Sequence, residues 1–170
     1  TRFDPFPALR TPLLFGGLSV RLKGEKDTSY YNTAFGRDSF GNLIGFYHKK
    51  VLMPFGEYMP FAKWFPSLKK LSPKTGDFSV GDLNEPIEFE IDNKKIPIGV
   101  LICYEDLIPS LAHESVSSGA KILVNLTNDA WYGQTAAPYQ HHLLASWQSI
   151  ETRKTLLRVT NSGLTGIVLP

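Results

Sequence analysis

A chain of 170 residues is long enough for one domain with a sizeable core. Its 42% hydrophobic and 20% charged residues give a globular composition, which excludes an intrinsically disordered segment. A net charge of +2, with lysine pairs spread at 49–50, 69–70 and 94–95, supplies no basic face for nucleic acid. The single cysteine, Cys103, rules out an internal disulfide and leaves the redox compartment open. No segment reaches the ~20 apolar residues that would span a bilayer. The chain opens on TRFDPFPALR, with neither a starting methionine nor a secretory leader, and reads as a cut made inside a longer protein.

In chain order, TPLLFGGLSV (11–20) predicts a short buried strand. YYNTAFGRDSFGNLIGFYHKK (30–50) predicts two strands, 30–35 and 43–48, around a turn rich in Gly, Asp, Ser and Asn. From 53 to 80, Pro, Gly, Lys and aromatic residues break the periodicity, leaving at most a short helix near 61–71; so long a connection is often functional. IEFEI, a DNKK turn and IPIGVLI then predict a hairpin whose second strand delivers Cys103. Asp106 is placed to cap a helix running to about Ser118, with Pro109 in its first turn.

KILVNLT (121–127) reads as a strand covered on both faces. Residues 138–154 read as a helix with Leu143, Trp147, Ile150 and Lys154 on one stripe. TLLRVTNSGLTGIVLP gives two more strands around an Asn-Ser-Gly turn. Strands alternating with helices, together with hairpins, define a mixed α/β layered domain over 1–170. Cys103 ends one of its strands, Lys49 follows another, and Asn128 and Asp129 follow a third. Strand ends are where α/β sheets gather reactive groups.

Cys103 sits at a strand-to-helix turn, where backbone N–H groups lower a thiol pKa and can receive an oxyanion. A small buried hydrophobe is the other reading. Lys49 is either a surface residue or an inward-facing ammonium, and in the second case Glu57, beyond the Pro54-Phe55-Gly56 turn, is its natural partner. Lys50 is the candidate for the exposed member of the pair. Glu105 is either a solvated turn residue or a carboxylate that positions Lys49 or the thiol. His141 and His142 are neighbours on a helix and point apart, no Cys/His cluster has zinc spacing, and no metal or cofactor is implied. A Cys-His pair with His48 or His113 has nothing in the sequence to fix it.

Together these pieces resemble the nitrilase, or carbon–nitrogen hydrolase, superfamily. The resemblance rests on Tyr47, Lys49 and Leu52 in a Tyr-x-Lys-x-x-Leu motif and on GVLICYED around Cys103. PFGEYMPF (54–61), ICYEDLIP, LVNLTNDAWYG (123–133), QHHLLASWQSIETRKTLLRVTNSG and the closing GLTGIVLP are similar to one branch, the periplasmic domain of the apolipoprotein N-acyltransferases. The resemblance implies a four-layer αββα sandwich and a Glu-Lys-Cys triad. Cys103 would take an acyl chain from a phospholipid as a thioester. The α-amine of a diacylglyceryl-modified N-terminal cysteine on an apolipoprotein would then accept it. Lys49 and the backbone near Tyr104 would hold the oxyanion, and Glu57 and Glu105 would hold Lys49 and the loop. Phe55, Tyr58, Met59, Trp64, Trp131 and Tyr132 would line an acyl-chain entrance, or pack as ordinary core and loop residues.

The parent would sit at the periplasmic face of a bacterial inner membrane, touching the bilayer through parts absent here. The family's general-base glutamate precedes the TPLLFGG segment, and this chain has no glutamate before Glu25, which falls in a polar KGEKDT turn. The expectation is therefore a sandwich incomplete at both ends, with negligible acyl transfer by the chain alone. A soluble amidase on small amides and a non-catalytic lipid- or lipopeptide-binding module are the competing readings.

Overall fold

The computed structural model describes residues 6–22, 28–62, 64–65, 67, 76–82 and 85–170. Glu25, Lys69 and Lys70 lie outside them, as does most of the short helix expected near 61–71. The described part of that stretch forms turns.

Strands β1 (Leu13–Leu22), β2 (Thr28–Arg37) and β3 (Leu43–His48) form an antiparallel sheet in that order. A second sheet has the order β4 (Ile87–Ile91), β5 (Lys94–Ile102), β6 (Ile122–Thr127), β7 (Thr155–Thr160), β8 (Gly166–Val168). β5, β6 and β7 run parallel, and β4 and β8 close the edges antiparallel. The β4–β5 hairpin turns on Asp92 and Asn93, whose φ of 50° and 58° is the pair of left-handed residues that a tight two-residue hairpin needs. Lys94 and Lys95 therefore belong to β5 and not to the turn.

Alternation along β5 and β6 builds two cores. Val100 and Ile102 join Ala34 and Tyr47 of the first sheet and Ile87 and Phe89 of β4 between the sheets. Gly36 and Gly45 permit that approach, since a Cβ on either would lie 2.6 or 3.1 Å from the Ile87 side chain. Leu101, Leu123 and Leu156 face the opposite way and pack with Leu111, Ala112 and Ala145 of the helices α1 (Pro109–Ser117) and α2 (Ala137–Thr152). The stacking is sheet, sheet, helices: three layers of an αββα sandwich. No helix among the described residues covers the outer face of the first sheet.

Three expectations change. β1 is not a buried strand: among the described residues it pairs only with β2, and Leu18, Val20 and Leu22 are exposed at this edge. Asp106 caps no helix; α1 begins after Ile108 with Pro109 at its first position, and Asp106 lies inside a separate 3-10 turn. The Leu143–Trp147–Ile150 stripe of α2 is exposed, and Lys154 falls beyond the helix end. α2 turns Pro138, His141, Ala145, Gln148 and Ser149 inward instead, and His141 there meets Asp106 and Asp129, which follow β5 and β6.

Candidate active site

β5 delivers Cys103 into left-handed backbone, φ 55°, a conformation that costs a non-glycine residue about 1–2 kcal/mol. Such strain persists only where the surroundings over-determine it. Here the constraint is Glu105, two residues on in the 3-10 turn Cys103–Leu107. The main-chain N–H groups of Lys50, Ile102 and Val51 donate to its carboxylate at 2.7, 2.8 and 2.9 Å. The Tyr47 hydroxyl adds bonds of 3.2 and 3.1 Å to its two oxygens. Glu105 is therefore not a solvated turn residue: it is fully buried and staples the thiol-bearing turn to the segment that follows β3. Burial pushes its carboxyl up, against the three N–H bonds that favour the charged form. Burial and the Glu105 charge together push the Tyr47 phenol far above its ordinary range.

That stapled segment carries Lys49, which is 1% exposed, not on the surface. Its ammonium donates to Glu57 Oε2 at 2.7 Å and lies 5.0 Å from the centre of the Tyr104 ring, beside the residue next to the thiol. Glu57 is held in turn by Asn32 Nδ2 at 2.9 Å and the Met53 N–H at 2.8 Å. The Tyr104 hydroxyl donates to the Leu52 carbonyl at 2.8 Å; burial, then the charge of Glu57, pushes this phenol up to about 12. Asn125 Nδ2 donates to the Cys103 carbonyl at 2.8 Å and fixes the turn from the β6 side. Lys50 is partly buried and pairs with Glu114 at 2.9 Å.

The aromatic residues divide. Tyr58, Met59, Phe61, Trp64, Phe78 and Val80 wall a cavity of about 900 Å³ beside Lys50, Val51 and Leu52. Phe55 and Trp131 are 65% and 84% exposed and are not among its walls, and neither is Tyr132. Tyr132 closes the 3-10 turn Asp129–Tyr132 after β6; burial first, then charge on Cys103, pushes its phenol up. Two of the histidines sit elsewhere: His48 bonds Thr33 at 2.9 Å and stacks on Tyr31, and His113 faces Glu151 at 3.7 Å. Among the described residues no cluster of His, Cys, Asp and Glu is arranged to hold a metal.

Behind the thiol turn lies a buried cycle that the sequence reading missed, formed by Asp106, Asp129, His141 and Arg158. Its signal was present. Arg158 stands inside the apolar run TLLRVT, as Asn125 does inside KILVNLT, and a polar residue mid-strand in such a run marks a buried partner.

A sheet–sheet–helix stack thus carries a strained strand-end cysteine on a turn that Glu105 fastens to the segment bearing the Lys49–Glu57 pair. The family model described as carbon-nitrogen hydrolase matches residues 10–169, and the chain belongs to that family. The chain is 39% identical over 160 residues to an apolipoprotein N-acyltransferase of Geobacter metallireducens and 40% over 164 residues to that of Bdellovibrio bacteriovorus. These alignments take in 94% and 95% of the chain, which spans about 30% of the length of either relative. Among solved structures it resembles a carbon-nitrogen hydrolase from Helicobacter pylori G27, with a TM-score of 0.63 and 18% identity over 98% of this chain and 54% of that one. An amidase from Nesterenkonia sp. AN1 follows the same fold, with a TM-score of 0.55 and 20% identity over 93% and 52%.

Proposed function

We propose that this chain supplies the cysteine, lysine and supporting carboxylates of an enzyme that moves an acyl chain from a phospholipid to the N-terminal cysteine of an apolipoprotein. The observation that carries the reading is the Glu105 staple. It fastens the strained turn of Cys103 to the segment that presents the Lys49–Glu57 pair. The similarity to apolipoprotein N-acyltransferases supports the substrate class.

In the first step the Cys103 Sγ attacks the ester carbonyl of the phospholipid and a C–S bond forms. The ester C–O bond then breaks, and the thiol proton passes to the departing lysophospholipid hydroxyl. In the second step the α-amine of the diacylglyceryl-modified cysteine attacks the thioester. A C–N bond forms, the C–S bond breaks, and an amine proton returns to sulfur. The Lys49 ammonium and the backbone N–H near Tyr104 hold the oxygen anion of each tetrahedral intermediate. Splitting one hard transfer into two easier ones is what a covalent intermediate contributes. The cavity walled by Tyr58, Met59, Phe61 and Trp64 receives the acyl chain.

The reaction belongs at the periplasmic face of a bacterial inner membrane. Both carboxylates at this site, Glu57 and Glu105, are engaged by the N–H groups and ammonium that they hold. With both so engaged, neither of these two is placed to take the thiol proton, and the expected turnover by the 170 residues alone is negligible. The test is expression of the full open reading frame that encodes these residues, with a phospholipid donor and a diacylglyceryl-cysteinyl peptide. N-acylated peptide lost in Cys103→Ser supports the reading. Acylation that survives Cys103→Ser contradicts it, as does hydrolysis of small amides without acyl transfer.

A further inference from the structure

Four ionisable side chains close a ring in the protein interior. His141 Nε2 lies 2.8 Å from Asp106 Oδ1, and its Nδ1 lies 3.0 Å from Asp129 Oδ1. Arg158 spans the other oxygens of the same two carboxylates, Nε at 3.4 Å from Asp106 Oδ2 and an amino nitrogen at 3.2 Å from Asp129 Oδ2. All four residues are buried. A neutral imidazole has one N–H and one lone pair, so against two carboxylates it would set a lone pair on an anion at one end. The imidazolium donates at both ends and balances the ring: two anions, two cations. Losing the proton would leave a net negative charge in the interior, which is costly.

The ring joins the two turns that frame the thiol. Asp106 belongs to the turn that Cys103 opens, and Asp129 to the turn that ends in Tyr132, whose ring meets His141 edge-on at 6.1 Å. We propose that His141, held as an imidazolium between Asp106 and Asp129, is a positioning residue for Cys103: it locks the thiol-bearing turn against the Trp131–Tyr132 turn. The groups facing it are Asp106 from the first turn, Asp129 and Tyr132 from the second, and Arg158 from β7. Burial and the Arg158 charge work against the proton, yet the bond and charge of Asp106, with the bond of Asp129, carry the imidazole above its ordinary 6.5.

The test reads the sole thiol and needs no acyl transfer, so its failure is separate from failure of the acyltransferase reading. Nitrogen-edited NMR of the 170-residue chain near about pH 7.5 should show both ring nitrogens of His141 protonated. A neutral ring at that pH overturns the proposal. Iodoacetamide alkylation of Cys103, followed from about pH 6 to 10, should show a second inflection at the His141 midpoint besides that of the thiol. In His141→Gln that inflection should vanish, and the freed turn should alkylate at least about threefold faster. An unchanged or slower rate in a folded His141→Gln overturns the proposal. If the variant does not fold, the wild-type profile decides, and the lack of a second inflection overturns it.

Discussion

Replacing Glu105 by alanine removes the acceptor that the site is built around. Three main-chain N–H groups, at 2.7 to 2.9 Å, and the Tyr47 hydroxyl lose their partner in a place with no solvent exposure. Hydrogen bonds to a charged group contribute about 1.5–3 kcal/mol each, so the three main-chain bonds bound the loss at roughly 4–9 kcal/mol. Water entering the space left by the carboxylate re-satisfies part of these donors, which brings the expected loss to about 3–5 kcal/mol. Glu105→Gln keeps the shape but turns an amide NH₂ toward N–H donors, and should lose about half as much.

Urea unfolding followed by tryptophan fluorescence reads both values. With a slope of about 2 kcal/mol/M, Glu105→Ala should lower the midpoint by roughly 2 M. The exposed Lys95–Glu88 pair is the internal control, and Glu88→Ala should move the midpoint by less than about 0.5 M. A shift that small for Glu105→Ala, or a Glu105→Gln protein as stable as the parent, would refute the argument that this carboxylate fastens the turn.

Cys103→Gly should be more stable than Cys103→Ala by about 1 kcal/mol, against the usual order, because only glycine adopts φ 55° without strain; equal midpoints would remove the strain from the account. Gly99→Ala should cost about 1–3 kcal/mol, since the added Cβ would stand 2.1 Å from Ser115 Oγ and 2.9 Å from the Leu123 side chain, and a neutral substitution would mean that α1 yields freely. The folded chain binds the His141 proton more tightly than the unfolded chain does. The stability from this group is therefore complete below 6.5 and lost as pH rises through the raised native value. Thermal midpoints of wild type and His141→Gln, compared from about pH 6 to 9, should converge as pH rises, and parallel curves would contradict the sign.

The local rules of strand and turn carried most of the fold into the sequence. Alternating or continuous apolar runs bounded by Asx/Gly turns located β2 to β7 to within a few residues, because each of those strands carries its own local signal. The stripe on α2 was legible but not the direction it faces. His141 turns inward to Asp106 and Asp129, and Leu143, Trp147 and Ile150 remain outside. Lys49 read singly resembled any surface lysine, with Glu57 as its partner only if it faced inward; the fold shows that it does, under the Tyr104 ring. Asp106 was assigned to a cap for a similar reason. Its partners, His141 and Arg158, are 35 and 52 residues away, and no local pattern encodes such a pairing.

The central claim is that Cys103 accepts an acyl group with Lys49 holding the oxyanion. It is tested most directly with an activated donor, a 4-nitrophenyl ester of a long-chain acid, whose leaving group needs no protonation. Intact-mass spectrometry should find one acyl group per chain, on Cys103 and labile to hydroxylamine. It should form at least about tenfold faster than on a peptide of residues 96–110, and the advantage should be lost in Lys49→Met. Equal acylation of chain and peptide, or a Lys49→Met protein that acylates as fast as the parent, would contradict the account.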